Sequence, residues 1–296
     1  MEGMSAEGIL GIIAKNAEKN AVTNDGDFEN EDGLLVCCKC GKPKQLWVYP
    51  RFNDDGTEDK EHGIKVRTMC KCDEERRAKE ELEKKRFEAM ERVKRLRALS
   101  LMDKKFEAAT FSSYEITKHN ERILKSCKRY VQDFDKNVEI NKGLLFWGGV
   151  GTGKSWAAAC IANELLSKGV PVIMTSFVKL IGQIQSGEET EADILYRLNR
   201  AKLIVFDDLG AERSTEYAIE RVYNIIDSRY RAELPMIVTT NLTIDEMTAD
   251  TDRRFKRIYD RLFETCVPVQ FTGPSWRMKA ASKRFKSVEA NTEDEL

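Results

Sequence analysis

From residue 143 onward, short apolar runs alternate with amphipathic stretches. The runs at 143–147, 171–175, 203–207 and 236–240 are almost continuously apolar and read as buried strands. Between them, 154–167, 177–185, 191–199 and 214–231 carry helical periodicity. A helical turn follows at 244–247, a helix at 252–263, and a last strand at 266–271 that tolerates Pro268 by lying at a sheet edge. Strands without polar alternation, separated by helices, predict an α/β fold: a parallel sheet covered on both faces.

The first hundred residues follow a different pattern. Residues 73–97 hold 18 charged side chains of 25, with both signs mixed and no Gly or Pro. They predict a solvated helix laced by i,i+4 pairs, with an apolar stripe of Leu82, Phe87, Met90, Val93 and Leu96. Such a helix serves as a spacer or as a partner-binding element. Residues 33–72 are cysteine-bearing, with a strand-like stretch at 45–49. Residues 1–32 carry eight acidic side chains against two basic ones, and read as a short N-terminal helix and an acidic linker. The expected organisation is therefore 1–32, 33–72, a linker helix over 73–103, a main domain over 104–280, and a polar tail over 281–296.

Composition narrows the class. The chain has 296 residues, 41% hydrophobic and 33% charged, with 6 prolines, so it can bury a core. Its 49 basic and 50 acidic groups exclude a globally basic nucleic-acid coat, although local patches stay open. No apolar run is long enough to span a membrane, and the first 16 residues lack the basic lead of a signal peptide, so a cytoplasmic protein is expected.

Five of the eight cysteines fall between positions 37 and 72. In a reducing compartment, clustered thiols point to metal rather than to disulfides. Cys37 and Cys40 form a C-x2-C turn with Gly41 behind it, and Cys70 and Cys72 supply a second pair. Four thiolates suit tetrahedral zinc. Cys38 and His62 are competing ligands. Cys127, Cys160 and Cys266 stand alone in apolar or helical contexts and read as packing.

Gly148, Gly149, Val150, Gly151, Thr152, Gly153, Lys154 and Ser155 match G-x-x-x-x-G-K-[ST] between a strand and a helix. The glycines let backbone N–H groups turn toward phosphate oxygens, and the helix N-terminus adds its positive end. Lys154 is placed to bridge the β- and γ-phosphates of a nucleotide, and Ser155 to ligate Mg²⁺. The strand at 203–207 ends in Asp207, within reach of the Mg²⁺ shell. Asp208 follows, where a base would polarise the attacking water; it is a methylene shorter than the Glu usual at such a position. Asn241, after the strand at 236–240, can position water against the γ-phosphate. Trp156 reads as core.

With these elements in order, the chain resembles the AAA+ ATPases, and within them the DnaC/DnaI-type replicative helicase loaders and IstB-type ATPases. The resemblance is carried by residues 148–155, LIVFDDLG at 203–210, VTTNL at 238–242, IYDRL at 258–262 and SWR at 275–277, and covers about residues 104–280. It implies a sheet ordered 5-1-4-3-2, no separate lid domain, and an ATP site completed by a neighbouring subunit. Asn241 would be the first sensor, Arg261 the arginine finger and Arg277 the second sensor, with Arg257 a competitor for the finger. The bland reading of Arg253, Arg254, Lys256, Arg257 and Arg261 is a solvated basic face. Residues 106–114 resemble a strand that packs near adenine. The resemblance further implies that the zinc module grips the hexameric replicative helicase, and that an ATP-bound homo-oligomer engages single-stranded DNA. Basic groups at 253–261 and at Arg277, Lys279, Lys283, Arg284 and Lys286 would meet its phosphates. Alternatives are an IstB-type transposition helper, a small-molecule kinase and a nucleotide-switched adaptor.

Overall fold

The computed structural model describes residues 24–49, 51, 53, 56–211, 215–279, 281 and 282. The expected N-terminal helix, Ser214, and the tail with Lys283, Arg284 and Lys286 lie outside the described residues. The chain forms two compact units, 1–88 and 89–296.

The first unit contains two small antiparallel sheets. Strand β1 (Phe28–Glu29) pairs with β2 (Leu35–Val36), and β3 (Gln45–Val48) with β4 (Ile64–Arg67). A bridge between Val36 and Pro43 closes the turn that holds Cys37 and Cys40. Two-stranded sheets of this size are marginal alone and need a staple. Asp27, expected within an acidic linker, is instead buried against Lys44 at 2.7 Å.

Helix α1 (Lys71–Leu99) starts two residues earlier than the charge pattern predicted. The Cys70 carbonyl accepts from the N–H groups of Asp73 and Glu74, so Cys72 is drawn into the first helical turn. Of the helix's apolar stripe, Leu82, Phe87 and Met90 face solvent. Leu96 packs against the core of the second unit.

The second unit is built on five parallel strands: β5 (Gly143–Gly148), β6 (Val172–Ser176), β7 (Leu203–Leu209), β8 (Met236–Thr240) and β9 (Cys266–Phe271). Their order is β6-β7-β8-β5-β9, which in strand sequence is the 5-1-4-3-2 arrangement the resemblance implied. Side chains alternate between two apolar layers, as strand geometry requires. Leu144, Phe146, Leu203, Val205 and Ile237 face one layer, with α3 (Glu121–Gln132) and α5 (Lys154–Ser167). Leu145, Ile204, Phe206, Met236 and Val238 face the other. That second layer is covered by α6 (Phe177–Ser186), α7 (Glu191–Asn199), α8 (Glu216–Arg231), α9 (Ile244–Ala249) and α10 (Arg253–Thr265). Cys127, Cys160 and Cys266 are buried in these layers. Among the described residues no helix is long and apolar enough to cross a membrane.

Two local expectations are corrected. Residues 106–114 do not form a strand. The short helix α2 (Lys104–Glu107) is followed by turns, in which Ser113 N–H and Oγ bond back to Thr110. Hydroxyl side chains that satisfy nearby backbone groups compete with extended structure. The third core strand does not stop at Asp207 but runs to Leu209 through an irregularity described below. A further helix, α4 (Phe134–Glu139), links α3 to β5.

Candidate functional site

The C-terminal ends of β5, β7 and β8 converge on one cavity of about 770 Å³. The loop between β5 and α5 forms its floor. Gly151 and Gly153 take φ of +78° and +100°, in the left-handed region. A Cβ at Gly151 would lie 2.1 Å from the Ser275 Oγ, and one at Gly153 2.3 Å from the Tyr114 hydroxyl. Both glycines are therefore required by conformation and by close approach. The Tyr114 hydroxyl donates to the Gly153 carbonyl at 3.2 Å, and the Trp276 N–H donates to the Gly151 carbonyl at 2.9 Å. The turn segment before α3 and the segment after β9 thus grip the loop from two sides.

Lys154 is buried, and its ammonium donates to the carbonyls of Gly148 at 2.7 Å and Gly149 at 2.8 Å, and to Asn241 Oδ1 at 2.8 Å. Burial lowers its pKa, opposed by the nearby Asp208 and Asp207. The Asn241 amide donates to Asp208 Oδ1 at 2.9 Å. Phosphate loop, Asn241 and Asp208 are joined in one hydrogen-bonded chain.

The second carboxylate owes its aim to the backbone. Phe206 pairs with Val238 and Leu209 with Thr240, so β7 carries one residue more than β8 across this stretch. This bulge puts Asp208 at φ +62°, a conformation that Asp tolerates better than most non-glycine residues. Thr239 fastens the bulge: its hydroxyl donates to Asp207 Oδ1 at 2.7 Å and accepts from the Asp208 N–H at 2.9 Å. In the sequence Thr239 is simply part of the strand at 236–240. Its role depends on cross-strand register, which no local pattern encodes.

Ser155, Asp207, Asp208 and Asn241 all border the cavity, together with Arg277. A hydroxyl and a carboxylate beside a phosphate cradle are suitable ligands for Mg²⁺. Aromatic walls are supplied by Phe106, Tyr114, Trp156 and Trp276. Trp156, expected in the core, is half-buried and lines this cavity, with Phe106 edge-on at 6.4 Å. Arg261 does not line the cavity. It lies on α10, with its guanidinium bonded to Asp227 on α8 at 2.6 Å. Arg253, Lys256 and Arg257 are exposed. Arg254 pairs with Asp252 at 2.6 Å.

In the first unit the Sγ atoms of Cys37, Cys40, Cys70 and Cys72 lie within 4.8 Å of one another. Tetrahedral zinc with ~2.3 Å bonds requires sulfurs roughly 3.8 Å apart, so this donor set fits with small adjustment. Gly41, at φ +67°, donates its N–H to the Cys37 carbonyl at 2.9 Å and closes the first knuckle. A backbone hydrogen bond from Lys42 lowers the Cys40 pKa to about 7, while burial pushes Cys70 up to about 12. Cys38 is exposed and its Sγ faces the Asp25 carbonyl at 3.8 Å. His62 pairs with Asp59 at 2.6 Å. Neither joins the cluster among the described residues. Behind it, buried Lys44 lies 2.7 Å from Asp27 and 3.4 Å from Asp73, and Asp73 accepts from Cys70 Sγ at 3.4 Å. Sequence gave no sign of this triad, because its members are spread over 46 positions.

Known proteins share much of this architecture. The chain is 26% identical to the replicative helicase loader DnaC of Escherichia coli (strain K12) over 182 residues, 60% of this chain and 72% of that protein. It is 26% identical to the phage-like element PBSX protein XkdC of Bacillus subtilis (strain 168) over 222 residues, 71% and 77% of the two chains. The crystal structure of the DnaC helicase loader has the same fold, with a TM-score of 0.51 and 24% identity over 57% of this chain and all of that one (100%). That of DnaI aligns with a TM-score of 0.51 and 23% identity, covering 59% of this chain and 93% of that one. The family model described as IstB-like ATP binding protein matches residues 66–284, well over half of the chain. With the phosphate-loop motif, Asp208 and Asn241 joined at one cavity, the chain belongs to this IstB-like ATP-binding family.

Proposed function

We propose that this protein is an ATP-dependent loader of a hexameric replicative DNA helicase, acting in the cytoplasm as a homo-oligomer in its ATP state. The observation that carries the reading is the hydrogen-bonded chain from the phosphate loop through Lys154 and Asn241 to Asp208 at a single cavity. A γ-phosphate entering there would take over the Lys154 ammonium from Asn241 Oδ1. Asn241 and Asp208 would then be turned toward a water in line with the phosphorus. Asp208 would accept that water's proton as the bond to the β-phosphate bridge breaks. Ser155 and Asp207 would hold Mg²⁺, which neutralises developing phosphate charge. Arg277 borders the cavity and would meet the same phosphates, while Arg261 would reach the nucleotide of the next subunit.

The helicase assignment rests on relatedness to the DnaC loader over most of that protein's length. The cysteine unit, holding zinc through Cys37, Cys40, Cys70 and Cys72, would be the helicase-gripping module. The basic face of α10 would contact single-stranded DNA. The IstB description of the family favours a second reading, an ATP-dependent helper for a transposase. Against it stands the cysteine cluster, where a DNA-binding helical region would be expected. Co-purification separates the two. The ATP-bound protein should retain a purified hexameric helicase from its own host, and Cys70→Ser should lose it. Retention of the host's transposase with no helicase would overturn the loader assignment.

A further inference from the structure

Arg261 was proposed above as the group that reaches a neighbour's phosphate, and the present inference rests on that reading. Within its own protomer this guanidinium is occupied. Nε donates to Asp227 Oδ1 at 2.6 Å, and Nη2 lies 2.5 Å from the same oxygen. Nη2 also donates to the Tyr223 hydroxyl at 2.9 Å, and Nη1 to the Arg257 carbonyl at 3.3 Å. The rings of Tyr223 and Tyr230 lie 4.8 and 5.4 Å from the guanidinium carbon. Arg261 and Asp227 are only 22% and 13% exposed, so this pair is not a loose surface contact.

An arginine clamps a phosphate with two parallel N–H groups. The Nε–Nη2 edge is one such fork, and Asp227 fills it. A finger held in this way cannot present that edge to another subunit. Its release is nevertheless chemically prepared. The other oxygen of Asp227 is bound by Arg231 Nε at 2.7 Å. When Arg261 leaves, the carboxylate keeps a cation and is not stranded half-buried. A γ-phosphate carries more negative charge than one carboxylate and can draw the guanidinium away when a subunit interface brings it near.

We propose that Asp227 and Tyr223 are positioning residues that store Arg261 inside the protomer and yield it to the neighbouring subunit's phosphate on assembly. The fork is thereby withheld from loosely formed subunit contacts, and hydrolysis is tied to correct docking. Neither residue touches nucleotide in this account; both act through Arg261.

The test is phosphate release by the full-length protein as a function of protein concentration, with wild type, Asp227→Asn, Tyr223→Phe, Arg261→Ala and the double variant Asp227→Asn/Arg261→Ala. Removing the carboxylate charge should lower the protein concentration for half-maximal rate about fivefold, with KM for ATP unchanged. Tyr223→Phe, which deletes only one hydroxyl, should shift it the same way by less and serves if Asp227→Asn does not fold. The double variant should be as inactive as Arg261→Ala. A fall in kcat, or an unshifted concentration profile, in Asp227→Asn and Tyr223→Phe overturns the storage role. A gain that persists in the double variant overturns it too, because it would not act through Arg261. Normal hydrolysis by Arg261→Ala instead removes the finger assignment itself.

Discussion

Asp208 sits at φ +62° because β7 holds one residue more than β8 between Phe206 and Leu209. The sequence marks this position as unusual, an Asp where a longer carboxylate is common. The structure gives a reason for the shorter side chain. Asp is among the few residues that occupy left-handed backbone readily, and its carboxylate already meets the Asn241 amide at 2.9 Å. Asp208→Glu should therefore slow phosphate release by about tenfold or more, and leave nucleotide affinity within about twofold. A rate equal to or above wild type would mean that the bulge does not select the residue. Other functional residues were legible from local order alone, since Gly148 to Ser155 have contiguous spacing. Thr239 and Asp227 were not, because each acts on a partner more than 30 positions away.

At the scale of elements, the apolar strands were easy to read because each is buried on both faces of a parallel sheet. The strand expected at 106–114 rested on family resemblance alone, whereas Thr110, Ser112 and Ser113 satisfy one another in a tight turn. The cysteine unit was legible as donors but not as a fold. Its strands have two to four residues each and offer little periodicity. Zinc held by the four cysteines would supply much of the stability of such a unit, given apparent binding energies of about 10–16 kcal/mol for structural zinc. Purified protein should contain about one zinc per chain, and Cys70→Ser should lose it along with the cooperative unfolding of the N-terminal unit. Metal-free protein that unfolds at the same temperature as the metal-loaded form would rule out this staple.

Across the whole molecule, near-neutral net charge concealed an acidic lead, a basic cysteine-bearing region and a balanced ATP-binding unit. The order of the five strands agrees with the one the family resemblance implies: β8, ending at Asn241, lies between β5 with the phosphate loop and β7 with the paired carboxylates, and the three ends share a cavity. How subunits meet is not written in one chain's periodicity. It enters through Arg261, whose position on α10 away from its own cavity makes sense if its phosphate belongs to another copy. Lys154→Ala removes the phosphate clamp and Arg261→Ala removes the finger, so each variant alone should hydrolyse no ATP. The most direct measurement is phosphate release from an equimolar mixture of the two. The account predicts recovery to roughly a quarter of the wild-type rate, because one subunit junction in about four then pairs an intact phosphate loop with an intact finger. A mixture as inactive as its separate components, with both variants folded and assembled, would contradict catalysis at a shared interface.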